Sequence, residues 1–154
     1  MRGSARREVV IDVPAAEAWR VVGRPELLHH WFPGIVDCRV AGDTRTIVLA
    51  TGLSLVERIL TNDPLQRRFQ YRIAGGFFAE HLASVDVIAL SDRSCLVIYA
   101  SDAAPATMAI VLGGAMAAAL AELRRQLEAG AGPAMSALVD GATEVAGTAV
   151  GVGR

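Results

Sequence analysis

Residues 105–129 read PATMAIVLGGAMAAALAELRRQLEA. Met108, Leu112, Met116, Leu120, Leu123 and Leu127 recur in it at three- and four-residue spacing, which gathers side chains on one face of an α-helix. Residues 103–121 carry no charge, close to the length of a membrane-spanning helix. Pro105, Gly113 and Gly114 interrupt that run, much of it is Ala, and it continues into Glu122, Arg124, Arg125 and Glu128. The expected element is therefore a long helix of a water-soluble fold, with no transmembrane segment. Its first half is apolar nearly all round and is expected to be enclosed, with Met108, Leu112 and Met116 facing a cavity. Its second half is amphipathic and is expected to seat Leu120, Leu123 and Leu127 on a sheet.

The sheet is read from the residues before the helix. Ile35–Val40, Arg45–Thr51, Leu53–Leu60, Arg67–Ala74, Ala79–Leu90 and Ser94–Ala100 have strand character, and short turns rich in Gly, Asn, Asp and Ser separate them. Such short connections join antiparallel neighbours. Alternation is clearest at Arg68-Phe69-Gln70-Tyr71-Arg72-Ile73. Further upstream, Arg7–Val13 opens the chain as a strand with Val9, Ile11 and Val13 on one face. Pro14 starts a helix striped by Ala15, Ala18, Trp19 and Val22, and Gly23 ends it. A second short helix runs from Pro25 to Trp31, and Pro33-Gly34 stops it. The order strand, two helices, six strands, long helix predicts an α+β layer architecture.

Residues 130–154 are rich in Gly, Ala, Ser and Thr. They read as a mobile tail beyond a domain of residues 1–129, with one helical turn at Ala134–Val139. The net charge of −1 gives no electrostatic case for nucleic acid as a partner. Cys38 and Cys95 form no CxxC pair and lie in strand-like runs, where free cysteine acts as a small apolar residue. No apolar run follows the basic start, so no secretory signal is read and a cytoplasmic location is expected.

At this point the chain resembles the START-like (SRPBCC) superfamily, in particular its polyketide cyclase/dehydrase branch. The residues that carry the resemblance are Asp12-Val13-Pro14-Ala15, Glu17-Ala18-Trp19, Leu28-His29-His30-Trp31-Phe32-Pro33-Gly34 and Val56-Glu57-Arg58-Ile59, with the closing helix. It covers about Arg7 to Glu128. It implies a helix-grip fold, in which a seven-stranded curved antiparallel sheet wraps the C-terminal helix and leaves a cavity between them. Members bind lipids, sterols, hormones or polyketides, and some catalyse cyclisation or dehydration. Related chains often carry Trp-His-Pro where this one has Trp31-Phe32-Pro33, so no catalytic role passes to Phe32.

Several residues then become candidates for binding. His81 shares the phase of Ala83, Val85 and Val87; it reads either as an acid, base or hydrogen-bonding group aimed into a cavity, or as a histidine satisfied within the fold. Glu57 shares a face with Leu55 and Ile59. Inward, it is a buried carboxylate that needs a partner or a raised pKa; outward, it joins a cross-strand ion pair, and the balance leans outward. Tyr71 either orients a polar ligand group or packs. Tyr99 is similar, but the phase of its strand is ambiguous. Gly75-Gly76-Phe77-Phe78 is either a gate with apolar lips or a plain hairpin turn. His29 and His30 point about 100° apart on a helix, and no third ligand follows at a zinc-like spacing, so no metal is expected. No cofactor motif is present either.

The expected function is the binding of a small hydrophobic molecule (a lipid, polyketide or aromatic metabolite) in an internal cavity. A cyclase/dehydrase enzyme using His81, Glu57 and Tyr71 is the alternative, and a homodimer or protein-interaction module is a third.

Overall fold

The computed structural model describes residues 1–149, with side chains through residue 142. Seven strands run as β1 (Gly3–Ile11), β2 (Ile35–Ala41), β3 (Thr44–Leu49), β4 (Ser54–Asp63), β5 (Arg68–Ile73), β6 (Glu80–Ala89) and β7 (Cys95–Ala104). They form one sheet in the order β1-β7-β6-β5-β4-β3-β2, with every adjacent pair antiparallel. Consecutive strands β2 to β7 are neighbours because their connections are short. The opening strand crosses to the far edge and pairs with β7, from Gly3 opposite Ala103 to Ile11 opposite Cys95. Register shifts at Ile35/Asp37 and at Ile59/Thr61 mark bulges that bend the strands.

Helices α1 (Ala15–Val22) and α2 (Leu28–Trp31), the second preceded by a 3₁₀ turn at Pro25–Leu27, link β1 to β2. Ala15, Ala18, Val21 and Val22 form the buried stripe of α1. Gly23 ends α1 in a right-handed conformation, not the left-handed one that usually selects glycine there. The requirement is space: a Cβ on Gly23 would stand 2.6 Å from the Trp19 ring.

Helix α3 (Ala106–Ala129) has the length and apolar character of a membrane-crossing helix. It lies across β1 and β7, with Leu120, Leu123 and Leu127 buried as expected. Its first half departs from the expectation of full enclosure. Ile110 and Val111 are 76% and 63% exposed, while Met116 is buried in the core at 2%. The reason is geometric: a helix on one face of a sheet covers one stripe, so an all-round apolar sequence leaves its outer side uncovered.

The segment after α3 also differs from the sequence reading. The single turn expected at Ala134–Val139 is part of a helix, α4 (Pro133–Ala149). Ala134 and Leu138, four residues apart, are buried against the rest of the fold. Gln126 of α3 fixes its start. Its Oε1 accepts the Ala134 N–H at 2.9 Å, and its Nε2 donates to the His30 carbonyl at 2.8 Å. The end of the expected tail, residues 150–154, lies outside the described residues.

Candidate functional site

Where the sheet curves away from the first half of α3, the fold leaves a cavity of about 440 Å³ that is open to solvent on one side. Ile47 and Leu49 of β3, Leu55 and Glu57 of β4, and Tyr71 and Ile73 of β5 form its sheet side. Met108, Leu112 and Ala115 of α3 face them, and the largely exposed Val111 stands at the open rim. Leu28, Phe32 and the Phe77-Phe78 turn close the ends. The wall is overwhelmingly apolar, and among the described residues Glu57 is its one charged lining side chain.

Glu57 thus points inward, against the sequence reading that leaned outward; it is 2% exposed. The partner that permits this is Arg45, directly opposite it in the β3–β4 register. Arg45 Nε donates to Glu57 Oε2 at 2.5 Å. Arg45 is itself 2% exposed, and its guanidinium carbon lies 5.1 Å and 4.9 Å from the ring centroids of Phe69 and Tyr71. Burial pushes the Glu57 carboxyl up from its ordinary range, and the adjacent guanidinium opposes that shift. Arg45 does not line the cavity. It borders a separate small space of about 10 Å³ beside Trp31 and Tyr99, which shares Leu28 and Tyr71 with the cavity wall. There the Arg45 Nη2 and Trp31 Nε1 donors are buried without partners among the described residues.

Tyr71 and Tyr99 are both inward, and their hydroxyls are 2.5 Å apart. Tyr71 reaches the cavity wall; Tyr99 sits behind it, at that small space. Burial pushes the Tyr99 phenol up to about 12 and raises Tyr71 as well.

His81 takes the second of its two sequence readings. It is buried, but it does not line the cavity. Its Nδ1 accepts the Ile73 N–H at 3.0 Å, and its Nε2 lies 3.3 Å from Ser101 Oγ. Burial lowers its pKa to about 4. A proton on Nδ1 would also meet the Ile73 N–H head-on, so the ring is held neutral. The His81 ring lies 5.6 Å from that of Tyr71, but both its nitrogens have partners within the fold, so of the three candidates only Glu57 and Tyr71 reach the cavity wall.

Of the other sequence candidates, Met108 and Leu112 line the cavity, whereas Met116 lies in the core behind it. Phe77 lines the mouth and is 65% exposed. Its turn has Gly75 and Gly76 at φ of 79° and 67° and closes with a Gly75–Phe78 bridge. The residue that sequence reasoning missed is Arg45. Its signal was present in Arg45-Thr46-Ile47, where an arginine shares the phase of an apolar inward residue.

A family model described as polyketide cyclase/dehydrase and lipid transport matches residues 2–128. No curated protein matches the chain. Among solved structures, the protein XoxI from Bacillus cereus is similar, with a TM-score of 0.76 at 18% identity over 81% of this chain and 95% of that one. A protein from Thermobifida fusca has a TM-score of 0.69 at 27% identity, covering 80% and 92%. Norcoclaurine synthase from Thalictrum flavum, in complex with dopamine and hydroxybenzaldehyde, has a TM-score of 0.66 at 17% identity, covering 82% and 87%. The helix-grip architecture and the family match over most of the chain lead to one conclusion: this protein belongs to the polyketide cyclase/dehydrase and lipid transport family of the START-like (SRPBCC) superfamily.

Proposed function

We propose that the chain binds one small, mainly apolar molecule in the cavity between α3 and strands β3 to β5. The observation that carries this is the cavity itself: about 440 Å³, walled by aliphatic and aromatic side chains, with Glu57 and Tyr71 as inward polar groups. That size and that mixture suit a small-molecule site. Enclosing about 200 Å² of apolar ligand surface contributes about 5 kcal/mol before association costs. A similar fold is described with dopamine and hydroxybenzaldehyde, which makes a small aromatic metabolite a reasonable first class to screen.

Titration with the neutral fluorescent dye N-phenyl-naphthylamine tests the proposal, with native mass spectrometry giving the stoichiometry. Saturable one-to-one binding that small aromatics displace supports it. Absence of saturable binding across dyes, lipids and aromatics overturns it.

The cyclase/dehydrase alternative retains two wall groups, Glu57 and Tyr71. Each has one internal partner, Glu57 through Oε2 with Arg45 and Tyr71 with Tyr99, and the third candidate, His81, does not reach the cavity wall. The geometry therefore favours a container. Consumption of an aromatic polyketide precursor, lost in Glu57→Gln and retained in His81→Asn, would make catalysis the stronger reading.

A further inference from the structure

We infer that the cavity selects apolar molecules whose polar end is a hydrogen-bond donor or a cation, such as a phenol, alcohol or amine, and rejects matched carboxylates. This rests on the binding reading above and goes further, because it assigns the ligand's polar chemistry.

One ion pair presents its two partners to the cavity unequally. Arg45 and Glu57 face each other across β3 and β4, but only the carboxylate reaches the cavity. The guanidinium is held behind the wall by three kinds of contact. It donates through Nε to Glu57, it lies against the Phe69 and Tyr71 rings, and its Nη1 is 3.4 Å from the Pro25 carbonyl. An entering molecule therefore meets the negative partner first. The bond to Arg45 uses Oε2, while Oε1 accepts no hydrogen bond among the described residues. A ligand O–H or N–H supplies what that oxygen lacks, and a hydrogen bond to an ionised acceptor is of the stronger kind.

A ligand carboxylate meets the opposite situation. It gives up its hydration, approaches a like charge in a low-dielectric wall, and finds no cation at the surface of the cavity. The Tyr71 hydroxyl is the one phenol on the cavity wall, and because it shares its hydrogen bonding with Tyr99 it offers a carboxylate at most one donor, beside the like charge of Glu57. Size does not discriminate here, since an alcohol and a carboxylate on one ring system occupy similar volumes. The charge of the pole does.

The test uses four probes on one skeleton: naphthalene, naphthol, naphthylmethylamine and naphthoate, with the three substituents at the same ring carbon. Each competes against N-phenyl-naphthylamine on the full chain. The expected order places naphthol and naphthylmethylamine at least about tenfold tighter than naphthoate. Naphthoate binding as tightly as naphthol overturns the inference while leaving the container reading intact. Failure of the dye and all four probes to bind overturns the container reading, and this inference with it. Glu57→Gln removes the negative pole and leaves Arg45 cationic behind it, so naphthoate gains affinity relative to naphthylmethylamine. An unchanged order in a folded Glu57→Gln protein overturns the assignment to Glu57. Should that variant not fold, the order on the wild-type chain decides.

Discussion

Arg45 and Glu57 form a buried ion pair at a single rung of the β3–β4 ladder, Nε to Oε2 at 2.5 Å, with both residues 2% exposed. Neither residue is tolerable in the interior alone. Glu57→Leu or Arg45→Met should each destabilise by about 3–5 kcal/mol, because each strands an uncompensated buried charge. The double variant should lose clearly less than the sum of the two. Urea denaturation of all four proteins measures this, and additive losses would show that the two charges do not depend on each other.

The wall of the cavity and the core behind it separate along α3. Leu123 and Met116 are fully buried, so replacing either with Ala should cost about 2–5 kcal/mol. Leu112 lines the cavity and is half-buried, so Leu112→Ala should cost less, part of its surface already facing open space. Thermal and urea melts of the three variants give the comparison. A Met116→Ala loss well below that of Leu123→Ala would place Met116 at the cavity after all.

His81 makes stability depend on pH in a defined direction. Its folded pKa is about 4, against an ordinary 6.5, because burial disfavours the charged ring. The unfolded chain therefore takes up a proton that the folded chain refuses. The penalty is absent above pH 6.5 and grows as pH falls from about 6.5 to about 4, reaching an upper limit of about 3 kcal/mol. His30 is lowered too, by burial and then by His29, and adds in the same direction. Melts at a series of pH values should show a steeper loss in the wild-type chain than in His81→Asn. Parallel profiles would mean that His81 titrates in its ordinary range in the folded protein.

Gln126 ties α3 to α4 and to the end of α2 through its bonds to Ala134 and His30. Gln126→Leu keeps the volume and removes both, together with the Nε2 bond to Glu122 Oε1, leaving a buried N–H at Ala134 without its acceptor. The expected cost is about 1–3 kcal/mol. Amide exchange across α4 should accelerate by more than exchange in β7. Equal protection of α4 in both proteins would show that apolar packing alone holds it.

Most of the fold was legible because its elements announce themselves through local periodicity. The period of two in β5 and β6 and the three-to-four spacing in α3 match the observed inward faces. The misses arise where a distant partner decides. β1 begins at Gly3 rather than Arg7 because β7 extends to Ala104 and supplies the pairing, which neither segment reveals alone. Glu57 was read outward because its own strand does not show that Arg45 waits opposite. His81 has the phase of a cavity residue, but phase gives a face and not a position along it. Sequence points to only one turn of α4 because small residues lack the bulk of a core; Ala134 and Leu138 at four-residue spacing after Pro133 are the signal of the longer helix.

The proposed ligand occupies the space between α3 and strands β3 to β5. Leu112→Trp fills that space from the helix side with a ring, leaving the buried seat of Leu120, Leu123 and Leu127 untouched. The decisive measurement is the N-phenyl-naphthylamine affinity of this variant beside the wild-type chain, with thermal melts showing both folded. Near-native melting and at least about a tenfold loss of dye affinity are expected. A folded Leu112→Trp protein that binds the dye as tightly as the wild type would contradict that occupancy, because the dye would then sit elsewhere.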